Sequence, residues 1–205
     1  MVNGMGSPRR DWIEGAIYHV YSRGSNRQAI FLNEGDYVEF QTLFASAVDR
    51  HRIDCFGWSY MPNHWHGVFR CPGGGLSCFM QHLNHRYALR FDRRWGRTAH
   101  VFEARFGAVL QQTDEQLLWT LRYVVRNPVE AGLCASPHDA RWTSFPATAG
   151  LVRAPAYLRV GEILDQFGGD PYEARRRYVD FVIGNYDSAG DVASYELAAR
   201  ATLAA

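Results

Sequence analysis

Between residues 15 and 70 the chain switches between two spacings of apolar side chains. Residues 15–22, Gly15-Ala16-Ile17-Tyr18-His19-Val20-Tyr21-Ser22, alternate and are rich in β-forming types, which predicts a first strand ending at Arg23-Gly24-Ser25-Asn26. From Asp36 the period lengthens. Tyr37, Phe40, Leu43, Phe44, Ala47 and Val48 recur at helical spacing, with Asp36 and Glu39 as the capping pair. Residues 52–60 and 64–70 return to strand composition on either side of Met61-Pro62-Asn63, so they predict a hairpin.

The same reading continues past the glycine-rich stretch after Cys71. Phe79, Leu83, Tyr87 and Phe91 stand at four-residue steps, predicting a second helix over 77–93 whose outer face carries Arg86, Arg90, Arg93 and Arg94. Residues 101–111 suit another strand, and Thr113 to Gln116 form a capping box that opens a third helix. Pro128, which has no backbone N–H, is expected to end that helix near Asn127. Strand, helix, strand, strand, helix, strand is the order of an α+β fold, a ferredoxin-like split βαβ antiparallel sheet with helices on it. Beyond Trp142 the pattern loosens, and two further helices are predicted at 157–167 and 171–183. The organisation is therefore a domain over 1–150 and a C-terminal helical extension over 151–205, fraying in the alanine-rich stretch from Ala198.

Composition narrows the classes. No apolar run approaches the roughly 20 residues of a membrane helix, and the N-terminus lacks the profile of a secretory signal, so a cytoplasmic protein is expected. Four cysteines without CxxC spacing read as structural thiols. Net charge is only +1, but it is unevenly placed: through residue 159 there are 18 arginines against 13 acids, and after it 4 against 8. The first part is the candidate polyanion binder. Every basic side chain is arginine, which is read as genome composition before selection for phosphate contacts.

The candidate chemistry lies in two short spacings. Residues two apart on a strand share a face, so His64 and His66 project side by side while Trp65 points the other way. Two such imidazoles can chelate a metal ion or serve as a hydrogen-bonded structural pair, and a metal site needs a third ligand. Tyr123 and Asn127, four apart on a helix, also share a face; taken singly, the one is ordinary core and the other an ordinary helix stop. Together the four residues match what DNA transesterification needs. Two imidazoles and an amide oxygen leave a divalent ion open positions for phosphate, and a tyrosine ester conserves the energy of the cut backbone.

Four segments carry a resemblance to a known family. Residues 18–24 (Tyr-His-Val-Tyr-Ser-Arg-Gly), 61–68 (Met-Pro-Asn-His-Trp-His-Gly-Val), 96–105 closing on Phe-Glu-Ala-Arg, and 122–132 (Arg-Tyr-Val-Val-Arg-Asn-Pro-Val-Glu-Ala-Gly) resemble the single-tyrosine HUH transposases. Within them the chain is most similar to the REP-associated tyrosine transposases, over about residues 15 to 145. The resemblance implies His64-Trp65-His66 as the HUH motif, Tyr123 as the nucleophile that takes the 5′-phosphate, and Asn127 as third ligand to Mg²⁺ or Mn²⁺. It further implies an enzyme that nicks and rejoins single-stranded DNA bearing a hairpin, working as a monomer, with a dimer as the alternative.

For DNA contact the sequence offers Arg86, Arg90, Arg93, Arg94, Arg97 and Arg105 to phosphates, and Trp65, Trp95 or Tyr60 as surfaces for an unpaired base. Two other functions fit the same residues. One is a metallohydrolase in which Zn²⁺ is completed by His82, His85 or His100. The other is a non-catalytic nucleic-acid-binding module that presents aromatic residues on an open sheet.

Overall fold

The computed structural model describes residues 12–184 apart from residue 74, so the alanine-rich end lies outside the described residues. Four strands, β1 (Ile17–Arg23), β2 (Asp54–Met61), β3 (His64–Arg70) and β4 (Gly107–Gln111), form one sheet in the order β2-β3-β1-β4. Every pairing is antiparallel. The β2–β3 hairpin turns at Pro62 and Asn63 as predicted. The expected fold class, an antiparallel sheet with helices packed on it, is the one observed.

Register decides which side chains meet. Arg23 lies opposite His64, Tyr21 opposite His66 and His19 opposite Val68, while on the neighbouring strand Met61 and Ser59 face the same two histidines. Since opposed residues of a ladder share a face, Ile17, His19, Tyr21 and Arg23 stand on the side of His64 and His66. Tyr18, Val20, Trp65 and Phe69 stand on the other.

That second side is covered by α1 (Glu34–His51) and α2 (Leu76–Trp95). Phe40 and Phe44 pack against Tyr60 and Trp65 at ring distances of 5.0 to 6.3 Å, and Phe79 meets Phe69 at 5.0 Å. Trp65 is wholly buried among them. The start of α1 differs from the sequence reading. Its N-cap is Asn33, whose side chain accepts from the Asp36 amide while the Asp36 carboxylate accepts from the Asn33 amide in return. Asp36 thus closes the box, and Glu39 is released to pair with Arg90 of α2. A buried carboxylate needs several donors. Asp36 also takes the Leu32 amide at 2.8 Å and Trp95 Nε1 at 3.2 Å, tying the start of α1 to the end of α2.

The first side is covered by α3 (Asp114–Glu130), which opens as predicted with Thr113 accepting from the Gln116 amide. It does not end at Asn127. Pro128 sits inside its last turn, where it removes one backbone bond, to the Val124 carbonyl, and the helix nonetheless runs on to Glu130. The end is closed by the Ala131 amide on the Asn127 carbonyl and the Leu133 amide on the Pro128 carbonyl. Asn127 therefore keeps helical geometry, one turn beyond Tyr123. The predicted strand at 101–111 is likewise trimmed: only Gly107–Gln111 joins the ladder, and residues 101–106 follow an irregular path held by a single Gly24–Phe102 bridge.

Three shorter helices follow, α4 (Phe145–Thr148), α5 (Val160–Asp165) and α6 (Pro171–Ile183); the predicted 157–167 helix is reduced to α5. Their chain covers the otherwise open edge of β2, where the Tyr60 amide donates to the Trp142 carbonyl, the Cys55 amide to Tyr157 and the Arg159 amide to Cys55. The end of α6 rests on α3, with Arg122 donating to the Phe181 and Gly184 carbonyls and Arg126 to Val182. Cations at a helix C-terminus offset its dipole and satisfy its last carbonyls. Ile163, Leu164, Ala174, Tyr178 and Val182 join the same apolar core as the sheet. Among the described residues no helix is long and apolar enough to cross a membrane.

Candidate active site

The close seating of α3 on the sheet brings the four predicted site residues together. Gly57 on β2 leaves room for Leu121, since a Cβ there would stand 2.9 Å from the Leu121 methyl. Thr120 donates to the Gln111 side chain and fixes the helix against β4. Tyr123 then lies edge-on to His66 with ring centres 5.7 Å apart, and His64 and His66 stand at 5.0 Å with their rings almost perpendicular. Asn127 completes the group by a side-chain hydrogen bond to His64.

Hydrogen bonds set which nitrogen of each ring is available. Asn63 Nδ2 donates to the Arg27 carbonyl, so its Oδ1 is the acceptor for His64 Nδ1 at 2.7 Å. An amide oxygen can only accept; His64 Nδ1 therefore carries the proton and Nε2 the lone pair. Asn127 Nδ2 donates to the Tyr123 carbonyl at 3.0 Å, which holds its amide one turn beyond the tyrosine. His66 Nδ1 is bonded to His19 Nε2 at 2.9 Å, while His66 Nε2 is buried without a partner among the described atoms. A buried ring nitrogen with nothing to bond costs about 1 to 3 kcal/mol unless something absent from the protein chain fills the gap.

The electrostatics agree. Burial pushes the His64 imidazolium down to about 4, with Arg23 adding to the fall and the Asn127 bond opposing it. Burial likewise takes His19 to about 3 and His66 well below its ordinary range, the latter helped by His64, His19 and Arg23. All three rings are neutral at pH 7, the form in which imidazole binds a metal ion. A pair of neutral imidazole nitrogens, one of them buried without a partner, and an amide oxygen make a donor set that fits a divalent cation.

His19 is the residue that sequence reasoning passed over. It lay within a segment quoted for the family resemblance without a role, and only the β1–β3 register places it beside His66. Its signal was a polar residue alternating with Ile17, Tyr21 and Arg23 on a strand whose other residues are core. Gly107 belongs to the same device: a Cβ there would strike the Tyr21 ring, which lies 6.0 Å from His66 and braces it.

The predicted DNA-contact residues fare differently. Arg86, Arg90, Arg93 and Arg94 are exposed on α2, behind the sheet from the histidines, and Arg90 and Arg94 are engaged by Glu39 and Asp36. Arg97 is bonded to Gln28 at 2.5 Å, and Arg105 is exposed in the irregular segment before β4. Arg23 stands closer to the histidine pair than any of the six, since its charge reaches both rings. Tyr60 and Trp65 are buried and offer no surface to a base, whereas Trp95 is 38% exposed. His82 bonds His51 on the helical layer, and among the described residues no three His, Cys, Asp or Glu side chains gather as metal ligands. The metallohydrolase with a third histidine has no site here. Among the described residues helices cover both faces of the sheet, so neither is an open aromatic surface.

Comparison with known proteins places this arrangement. Residues 13–128 match the family described as IS200-like transposase. No curated protein sequence matches the chain. In fold it is similar to a REP-associated tyrosine transposase solved bound to a REP hairpin, with a TM-score of 0.61, 18% identity, and 74% of this chain and 89% of that one covered. Weaker likenesses are to a candidate transposase of Deinococcus radiodurans R1 (TM-score 0.42, 12% identity, 58% and 95% covered) and to the tRNA(His) guanylyltransferase of Saccharomyces cerevisiae (0.45, 10%, 90% and 85%). The family match spans more than half of the chain, from β1 through the helix that bears Tyr123, and the protein belongs to the IS200-like transposases.

Proposed function

We propose that this transposase cuts and rejoins single-stranded DNA at hairpins, with Tyr123 as nucleophile and a divalent ion, Mg²⁺ or Mn²⁺, held by His64, His66 and Asn127. The observation that carries the reading is the meeting of His64 and His66 from β3 with Tyr123 and Asn127 from α3 in one place. The hairpin partner is supported by the REP hairpin bound in the similar transposase structure. When bound, the ion polarises the scissile phosphate and offsets charge on the leaving oxygen.

The chain's own residues do the rest. The Tyr123 hydroxyl oxygen attacks phosphorus as the bond to the 3′ oxygen breaks; the phenolic proton leaves to solvent and the freed 3′ oxygen takes one up. A phosphotyrosine ester remains on the 5′ end. Attack by a 3′-hydroxyl reverses the step and reseals the strand, with no nucleotide consumed. His19 holds the His66 ring by its Nδ1, and Asn63 does the same for His64, so that both rings are oriented before substrate arrives. Because one chain supplies both halves of the site, a single copy is sufficient.

The test is covalent capture. Hairpin oligonucleotides with flanking single strands are incubated with the protein and Mn²⁺, then resolved under denaturing conditions. The expected result is a protein–DNA adduct that disappears with EDTA and in Tyr123→Phe, a loss of more than about 10³-fold. An adduct persisting in Tyr123→Phe overturns the assignment, and turnover without any adduct returns the site to water-using hydrolysis.

A further inference from the structure

The turn that carries His64 is gripped from outside by the loop that follows β1. The Gly24 amide donates to the Asn63 carbonyl at 2.8 Å, and the Ile30 and Phe31 amides donate to the Pro62 carbonyl at 2.8 and 3.1 Å. Between these holds the chain makes a tight turn over Ser25–Arg27, closed by the Arg27 amide on the Gly24 carbonyl and the Gln28 amide on the Ser25 carbonyl. Gly24 is needed for it, since a Cβ there would strike the Gln28 carbonyl and the Ile30 side chain. Asn26 and Arg27 stand in the left-handed region, at φ of 54° and 58°. Asparagine tolerates that region, but arginine adopts it against the steric cost of its Cβ. Such strain persists only where the surroundings fix it, and it gathers at functional sites.

What the strained turn presents to the hairpin is the Arg27 carbonyl. It accepts from Asn63 Nδ2 at 3.1 Å, and Asn63 Oδ1 in turn accepts from His64 Nδ1 at 2.7 Å. The first bond decides the second. A side-chain amide can turn over and exchange its oxygen for its NH₂, and a ring nitrogen of neutral imidazole can either donate or accept. With the NH₂ turned towards His64, Nδ1 would accept, the proton would sit on Nε2, and that nitrogen would have no lone pair to give an ion. The Arg27 carbonyl forbids this orientation, because it would then face the amide oxygen, and two acceptors cannot bond each other. The contact is made by the backbone of Arg27, whose side chain is exposed.

We propose that this turn is a tautomer lock for His64: the left-handed backbone at Asn26 and Arg27 holds one carbonyl against the Asn63 amide, and the amide keeps the His64 proton on Nδ1 and the lone pair on Nε2. Asn26 and Arg27 are thereby positioning residues, acting on the ligand through two hydrogen bonds and by backbone conformation instead of charge. An ion then meets a ring already in the form it binds, and no proton has to be moved first. The inference rests on the proposed metal site and adds the part of the chain that prepares it.

The experiment reads the ring before any metal is added. In the metal-free chain labelled with ¹⁵N in histidine, long-range ¹H–¹⁵N correlation spectra at pH 7, where burial keeps His64 neutral, show which ring nitrogen carries the proton. The expected result is Nδ1–H alone in the wild type and an added Nε2–H form in Arg27→Val, whose β-branched side chain disfavours the left-handed region. Arg27→Asn, which removes the same charge but tolerates that region, should restore the wild-type spectrum. Mn²⁺ affinity by calorimetry should follow, about 10- to 100-fold weaker in Arg27→Val and in Asn63→Ala, and no weaker when the two are combined, since they break one chain of bonds. Should Arg27→Val not fold, Asn26→Val applies the same strain one residue earlier. An Nε2–H ring in the wild type, an unmoved tautomer in both valine variants, an Arg27→Asn as impaired as Arg27→Val, or losses that multiply in the double variant overturn the inference. A wild-type chain that binds no Mn²⁺ sinks the metal reading, and the spectra alone then decide the lock.

Discussion

The two faces of the sheet are made from alternate residues of the same strands, yet they are built to opposite rules. On β3, Trp65 and Phe69 face α1 and α2 and are packed into a wholly buried aromatic layer. On the opposite face of the same strand, His64 and His66 look toward α3 and are held by polar partners, with His66 Nε2 left unbonded. The aromatic face gathers apolar area and supplies stability. The histidine face gives some of it up to keep neutral imidazoles, a phenol and an amide together under cover. A difference of one residue in register separates the two, so the alternation of a seven-residue strand divides structure from chemistry.

This contrast can be broken most severely from the aromatic side. Trp65→Ala should lose about 3 to 5 kcal/mol of folding stability, read by denaturant unfolding, because nothing can collapse into the space it leaves. His66→Ala, its neighbour on the other face, should lose far less stability but all measurable Mn²⁺ binding by calorimetry. If the two variants were equally destabilised and both still bound Mn²⁺, the division of labour would be wrong.

The next effect sharpens the histidine face from behind. His19→Ala should fold, keep Tyr123 and both ligands, and weaken Mn²⁺ binding by about 10- to 100-fold, since His66 loses the bond that orients it. His19→Gln, whose amide can bond His66 Nδ1 in either role, should recover part of the loss. Unchanged affinity in His19→Ala would reduce His19 to core filling.

The smallest effect lies at the far end of the same face, where Asp54 accepts from Arg70 and Arg159, each at 2.8 Å, and Arg70 reaches on to Glu162. Burial raises the Asp54 carboxyl, but the hydrogen bonds from Arg159 and Arg70 and their charges outweigh it, and its pKa falls below the ordinary 3.8. A group depressed in the folded state stabilises the fold above its unfolded pKa and ceases to as pH falls through the folded value. Asp54→Asn should therefore cost about 1 to 2 kcal/mol at pH 7, discounted because Arg159 is nearly half exposed. The gap between the two proteins in thermal unfolding should close below about pH 4. A gap that widens in acid would contradict the pairing.

The elements most legible in the sequence were those whose pattern is local. The β2–β3 hairpin, the apolar stripes of α1 and α2, the Thr113 cap and α6 all follow from spacing within a dozen residues. Boundaries that depended on partners were less so. Asn33, and not Asp36, caps α1, because Asp36 serves both the cap and Trp95 from another helix. Residues 101–106 have strand composition but leave the ladder to wall a cavity. Pro128 does not stop α3, whose end is closed beyond it by the Ala131 amide on the Asn127 carbonyl and the Leu133 amide on the Pro128 carbonyl.

By itself the sequence determined that His64 and His66 share a face and that Tyr123 and Asn127 share another; these are facts of period, 2 for a strand and 3.6 for a helix, while the link to transposases came from the resemblance of whole segments. Only the tertiary structure decided that the two faces look at each other, that His19 and Asn63 hold the two rings by their Nδ1 atoms, and that the α2 arginines stand behind the sheet. The reason is that period speaks for neighbours along the chain, whereas strand register and the seating of α3 on Gly57 fix distances between residues some sixty positions apart.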